Sequence, residues 1–227
     1  MELRVGAKKT LSAFRSVVGS PNIFLADKGD LRCTAIKLNN SQVALFSPVQ
    51  GLGHDAIESL APLGRVAFLL APNYYHNKGL AEYGAAFPNA CLCAPEAAQP
   101  RLKKLTGLSF QGLDGLCGVL PDHMSIIQPD GLKTGEIWVR VLGQKRIAWI
   151  VVDAFCGPKA LHGDEASEPQ LLSTFPRFGI GKAQRYFDWV QHQIDVDNPN
   201  LILPCHGALI RDKKLPEKLL ALIRRAR

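Results

Sequence analysis

Apolar residues in this chain come in short runs that suit strands, separated by turn residues and by stretches with helical spacing. Residues 23–26, 32–38 and 42–46 are rich in β-branched and aromatic side chains. Asn39-Asn40-Ser41 lies between the last two runs, and the pattern predicts a meander. Apolar residues at 57, 60 and 63 predict a helix over 54–63, and 65–70 reads as a buried strand that Pro72 ends. A helix over 79–87 closed by Pro88-Asn89, a short strand at 90–93 and a helix over 95–105 with Pro95 in its first turn complete the first half. The second half predicts strands near 117–120 and 124–128, then a hairpin of 136–142 and 145–152 joined through Gly143-Gln144. Residues 156–172 are polar and carry Gly and Pro, so they predict a long loop that can serve as a flap. A helix over 181–194 and a buried strand at 201–203 follow. In the basic C-terminal segment Leu215, Leu219, Leu222 and Ile223 share one helical face. Meanders that each finish in helices predict two packed sheets with helices outside, an α/β architecture.

Composition narrows this further. With 227 residues, 47% hydrophobic and 21% charged, the chain can bury a substantial core as one domain over 1–227, which excludes a disordered polymer. The longest apolar runs, 66–71 and 147–152, fall far below the roughly 20 residues that span a bilayer, so no membrane span is expected. The N-terminal stretch 1–14 lacks the apolar core of a secretory signal, and a cytoplasmic location is expected. The six cysteines are scattered and are expected to be reduced, with Cys91 and Cys93 as core residues on one side of a strand. Cys156 and Cys205 flank chemically interesting positions. Core packing is the plainer account of both, and Cys156 at a loop start is the better placed to reach a cleft.

A formal charge of +7 favours anionic partners. No zinc-finger spacing, arginine-rich arm or basic stretch with interleaved aromatics accompanies it, so charge alone speaks for nucleic acid, which is not expected as a partner. Gly51-Leu52-Gly53 and Gly179-Ile180-Gly181 lack the rest of a nucleotide fingerprint, and no Gly-x-Ser-x-Gly marks a serine hydrolase. His54, His123, His162 and His192 read as surface residues, and Asp55, Asp122 and Asp164 as caps and turn formers.

Three residues share a different placement. His76 follows the strand at 65–70, Asp153 ends the strand at 145–152, and His206 follows the strand at 201–203. Strand ends are rigid positions where sheet folds build sites. Two imidazoles and one carboxylate form a workable ligand set for zinc, or for iron if open positions remain.

The succession Ala71-Pro72-Asn73-Tyr74-Tyr75-His76-Asn77-Lys78-Gly79-Leu80, then Ile150-Val151-Val152-Asp153, then Leu201-Ile202-Leu203-Pro204-Cys205-His206-Gly207 resembles the metallo-β-lactamase superfamily. Ser47-Pro48, Leu63-Gly64-Arg65-Val66, Phe87-Pro88-Asn89-Ala90 and Pro95 resemble a branch of it with a degenerate metal motif, and the likeness runs from about residue 23 to 210. The resemblance implies a four-layer αββα sandwich, two mixed sheets with helices outside, and a site at the edge between the sheets. The superfamily motif is His-x-His-x-Asp-His. Here Ala71 and Asn73 stand in place of the first metal's histidines, Tyr75 in place of the second metal's Asp, and the middle histidine falls near Leu132. Asp153 matches the bridging carboxylate and His206 the last histidine. By the same resemblance, His54 lies in the loop after Ser47-Pro48 where a supporting Asp is common.

The resemblance therefore implies one divalent ion on His76, Asp153 and His206, zinc first, with iron or manganese as alternatives. It implies a metal-dependent hydrolase of an ester, thioester, lactone or phosphoester. The partner would be a small, anionic substrate, and Asn73, Tyr74 or Tyr75 would donate hydrogen bonds to an oxyanion. The alternative is a non-catalytic binding or regulatory module without an ion, in which His76 and Asp153 persist as a polar pair.

Overall fold

The computed structural model describes residues 10–143, 147–159 and 165–226. The first sheet runs in chain order: β1 (Arg15–Val17), β2 (Ser20–Lys28), β3 (Leu31–Lys37), β4 (Gln42–Phe46), β5 (Arg65–Leu70) and β6 (Cys91–Cys93). Its first four strands are antiparallel, and β4, β5 and β6 are parallel neighbours. Parallel neighbours need a crossover, supplied by helices α1 (His54–Leu60) and α2 (Leu80–Ala86). Helices α3 (Gln99–Thr106) and α4 (Asp114–Cys117) then lead into the second sheet. Its strands are β7 (Met124–Ile127), β8 (Trp138–Leu142), β9 (Ile147–Val151), β10 (Glu165–Ala166), β11 (Leu201–Pro204) and β12 (Leu209–Arg211), ordered β10-β12-β11-β9-β8-β7. Strands β9 and β11 are parallel, with helices α5 (Phe175–Phe178) and α6 (Ala183–Asp197) in the crossover, and α7 (Leu215–Ala226) closes the chain.

The near-continuous apolar run of β9 follows from cover on both faces. Successive side chains of a strand point to opposite sides. Ala148 and Ile150 accordingly join Leu25, Ile36, Phe46 and Leu203 between the sheets. Trp149 and Val151 face outward onto Tyr186, Val190 and Leu219 of α6 and α7. On the outer side of the first sheet Leu45 and Leu69 pack against Leu60 and Tyr83 of α1 and α2. The result is the expected αββα layering of two mixed six-stranded sheets.

Several local expectations are revised. No strand forms at 117–120: Asp114–Cys117 is a helical turn whose i→i+4 bonds Cys117 N→Leu113 O and Leu120 N→Leu116 O carry on past it. Three short strands, β1, β10 and β12, and the four-residue α5 have no sequence period to reveal them. Helix α6 continues to Asp197, where Asn198 at φ 46° ends it by donating its amide to Ile194 O. On α7, Leu215, Leu219 and Ile223 are buried, whereas Leu222 sits at the edge of the face. Of the 156–172 stretch, His162 and Asp164 lie outside the described residues, as do Gln144 and the first nine residues. The described part is tied down: Cys156 exchanges backbone bonds with Gln170, and Glu165–Ala166 pairs with β12. Among the described residues no helix is long and apolar enough to cross a membrane.

Candidate metal centre

The C-terminal ends of β4 and β5 in one sheet meet those of β9 and β11 in the other, and all three singled-out side chains project there. Past β5, the Asn73 side-chain oxygen accepts the amides of Tyr75 (2.8 Å) and His76 (3.0 Å). This Asx-type turn brings His76 back over the strand end. Asp153 leaves β9 two residues beyond its end, and His206 leaves β11 likewise.

The three converge on one point. His76 Nε2 is 3.0 Å from Asp153 Oδ1, His206 Nε2 is 3.1 Å from the same oxygen, and the two Nε2 atoms are 3.4 Å apart. A tetrahedral zinc with bonds of about 2.0–2.1 Å separates its ligand atoms by roughly 3.3–3.4 Å, so this triangle fits an ion of that size. Among the described residues it is the one cluster of three or more His, Cys, Asp or Glu side chains with this spacing. Burial raises the Asp153 carboxyl, but its interactions with His76 and His206 outweigh that and hold it below the ordinary carboxylate range.

Each ligand is also gripped from behind. Ser47 Oγ lies 2.6 Å from His76 Nδ1, which leaves Nε2 to face the common point. Ser47 adopts φ 58°, a conformation that non-glycine residues seldom take. Asn73 Nδ2 donates to Asp153 Oδ2 at 2.7 Å, so only Oδ1 of that carboxylate is turned to the histidines. Beneath lies Glu136, fully buried. Its carboxylate accepts Trp138 Nε1 (2.9 Å) and the amides of Ala154 (3.2 Å) and Asp153 (3.3 Å), with Asn73 Nδ2 at 3.4 Å. Burial, reinforced by the negative charge of Asp153, pushes Glu136 up to about 8, against the pull of its N–H donors.

His206 is held across the sheet interface. Arg32 on β3 donates its amide to Cys205 O (2.9 Å) and Nη1 to Pro204 O (2.8 Å), and its Nε pairs with Asp27 Oδ1 at 2.7 Å, both partners buried. The next residue, Gly207, has φ 75°, and a Cβ there would stand 2.3 Å from Gly157 O. Gly207→Ala should therefore cost about 2 kcal/mol or more, read as a fall in the urea midpoint, because both the backbone conformation and the contact oppose a side chain.

A cavity of about 680 Å³ opens above the triad. Tyr75, 41% exposed, stands at its mouth. Tyr74 is buried away from the cavity, its ring 4.9 Å beneath the Arg101 guanidinium, and Asn73 is committed to Asp153 and two amides. Of the 131–135 segment, Leu132 packs with the outer core through its bridge to Ile180, and Thr134 lines the cavity instead. The Thr134 hydroxyl is buried without a partner among the described residues.

Sequence reasoning passed over Ser47, Thr134, Glu136 and Arg32. A Glu within an otherwise apolar strand start, and an Arg opening a buried strand, were the signals available for two of them. Neither cysteine reaches the cavity wall: Cys156 and Cys205 are buried, and burial raises both thiols, Cys156 to about 11. All six cysteines are free. His54 is an exposed helix-start residue paired with Glu58, His192 is exposed, and His123 is half-buried in its turn. The amides of Gly181 and Lys182 donate to Gly131 O, so that stretch is a plain helix entry.

No family model matches the sequence, and no curated protein matches it. Solved structures do. A metallo-β-lactamase from Pontibacter korlensis superposes with a TM-score of 0.64 over 95% of this chain and 99% of its own, at 12% identity. The chain has the metallo-β-lactamase fold. The metallo-β-lactamase FIM-1 from Pseudomonas aeruginosa in its mono-zinc form gives a TM-score of 0.64 over 96% and 97% of the two chains at 10% identity. The Flv1 flavodiiron core from Synechocystis, metal-soaked, gives 0.64 over 95% of this chain and 62% of that one at 12% identity. In this fold the triad of His76, Asp153 and His206 occupies the edge where the two sheets meet.

Proposed function

We propose that the protein is a metal-dependent hydrolase working with a single divalent ion, zinc first and iron or manganese as alternatives, held by His76, Asp153 and His206. The observation that carries this reading is the Asn73–Asp153 hydrogen bond beside the ligand triangle. The superfamily resemblance makes Asp153 a carboxylate shared between two metals, and here its second oxygen is occupied by a side-chain amide. With Ala71 buried and Leu132 packed into the outer core, no histidine among the described residues supports a second ion. The mono-zinc form of FIM-1 provides a parallel for one ion in this fold.

A bound ion would supply Lewis acidity and lower the pKa of a water toward neutrality. The chain's own groups do the rest. Ser47 fixes the His76 ring through Nδ1, and Asn73 and Glu136 fix the Asp153 carboxylate and its backbone. Of Asn73, Tyr74 and Tyr75, it is Tyr75 at the mouth that is placed to donate to a carbonyl or phosphoryl oxygen as negative charge develops there. The substrate is a small molecule of the ester, thioester, lactone or phosphoester class.

Elemental analysis of protein prepared without chelator should give close to one metal per chain. His76→Ala and His206→Ala should each reduce that to background while leaving the circular dichroism of the fold in place. Protein that stays metal-free after soaking in zinc, iron and manganese overturns the hydrolase reading in favour of a binding module.

A further inference from the structure

The wall of the cavity away from the triad differs in character from its floor. Leu172 and Phe178, from the turn and short helix before α6, line it together with Val49 and Leu31, and Phe175 is buried behind them. Three of the eight large apolar side chains that are strongly exposed among the described residues sit on this one rim: Leu31 (39%), Tyr75 (41%) and Phe178 (44%). A concentrated apolar rim around a concave site is what an apolar ligand would cover.

The charges on the same wall are one-sided. Lys28 and Lys78 line the cavity, and the one acid there among the described residues, Asp153, is turned to the two histidines and Asn73. Lys28 gives one proton to Gln50 O at 2.7 Å, which anchors the ammonium on the rim and leaves its other two donors for a ligand. An ion on the triad would add positive charge to the floor. The cavity volume of about 680 Å³ lies inside the range of roughly 300–1,000 Å³ usual for small-molecule sites.

Resting on the hydrolase reading for its chemistry, we propose that the ligand of this cavity is an amphiphilic anion, and that the substrate is an ester or thioester with a hydrocarbon acyl chain and a negative charge at its other end. The chain lies on Phe178 and Leu172, the anionic end meets Lys28 and Lys78, and the scissile carbonyl is left over the triad. A phosphoester of small polar groups leaves the apolar wall unused, and a neutral lipid leaves the lysines unanswered.

The test is calorimetric titration of the full chain, chelator-treated and zinc-loaded in parallel, with straight-chain carboxylates from butyrate to dodecanoate and with alcohols of the same lengths. One saturable site is expected, with Kd falling about fourfold for each added methylene until the cavity is filled. Alcohols should bind about fivefold more weakly than carboxylates of equal length, as one surface ion pair allows. Phe178→Ala should flatten the chain-length dependence. A double Lys28→Gln, Lys78→Gln variant should abolish the difference between carboxylate and alcohol. These side chains are partly or fully exposed, so the variants should fold, which thermal melting confirms.

Absence of saturable binding, binding independent of chain length, or binding equal for alcohols and carboxylates overturns the proposal even if zinc loads at one per chain. Carboxylate binding with the expected profile in chelator-treated protein supports the ligand assignment by itself, and failure to load metal in the parallel sample strikes the hydrolase reading separately.

Discussion

Glu136→Ala should lower stability by about 3 kcal/mol, seen as a reduced urea midpoint at unchanged slope. The side chain is fully buried and accepts from Trp138 Nε1 and the amides of Ala154 and Asp153, with Asn73 Nδ2 at the limit of reach. Alanine leaves those donors buried without acceptors, at about 1–3 kcal/mol for each one that water does not reach. The opposing effect is relief from a buried acid. Burial raises that carboxyl, but three N–H donors are left without an acceptor when it goes, so the loss of acceptors wins. Glu136→Gln keeps the volume and one acceptor but turns an NH2 toward other N–H groups, and should lose roughly half as much.

The pH dependence of metal-free protein carries the opposite signs of Glu136 and Asp153. A carboxyl raised in the folded state binds its proton there after the unfolded chain has released it. The stability that Glu136 contributes is therefore fully present below its ordinary value of 4.5 and is lost as pH rises to about 8. Asp153 is lowered, so its contribution is present above 3.8 and is lost on acidification below that. Glu136→Gln should remove the slope between about 4.5 and 8 and leave the acid limb, a result read from denaturation midpoints across pH.

Arg32→Ala should destabilise by a similar amount, about 3 kcal/mol, for a different reason. It removes the buried ion pair to Asp27 Oδ1 and the donor to Pro204 O. Because that carbonyl lies two residues before His206, the same substitution should weaken zinc binding about tenfold, as loss of an outer support commonly does. Arg32→Lys cannot reproduce two directed contacts from one ammonium and should recover less than half of either loss. A variant with normal zinc affinity despite reduced stability would show that Arg32 braces the sheets and not the histidine.

The layers of the fold were legible because strand runs such as 43–46 and 66–70 are apolar from end to end, and helices such as α6 keep a helical period. The elements that escaped are those too short to have a period: β1, β10, β12 and α5, and the helical turn at Asp114–Cys117, whose Gly-Leu-Cys-Gly context looked like a strand edge. His76, Asp153 and His206 were legible together because each lies within a few residues of the end of a strong apolar strand. Their supports were not. Ser47, Asn73, Thr134 and Glu136 act through hydrogen bonds to partners far away along the chain, and nothing local marks a serine that meets an imidazole 29 residues on. Asn73 shows the difficulty most clearly: its position suggested a donor to substrate, whereas its amide is spent on Asp153 and its oxygen on two backbone amides.

His76 comes from the half of the chain that builds one sheet, and Asp153 and His206 from the half that builds the other, the first pair 77 positions apart in sequence and the two imidazoles 130. No fragment ending before β11 contains the triangle, and closing such long loops is an entropic cost met only once both sheets have formed and docked. The centre is thus among the last things the polypeptide assembles during folding. A spectroscopic probe such as cobalt, added during refolding, should report the final docking step and remain silent through every earlier one.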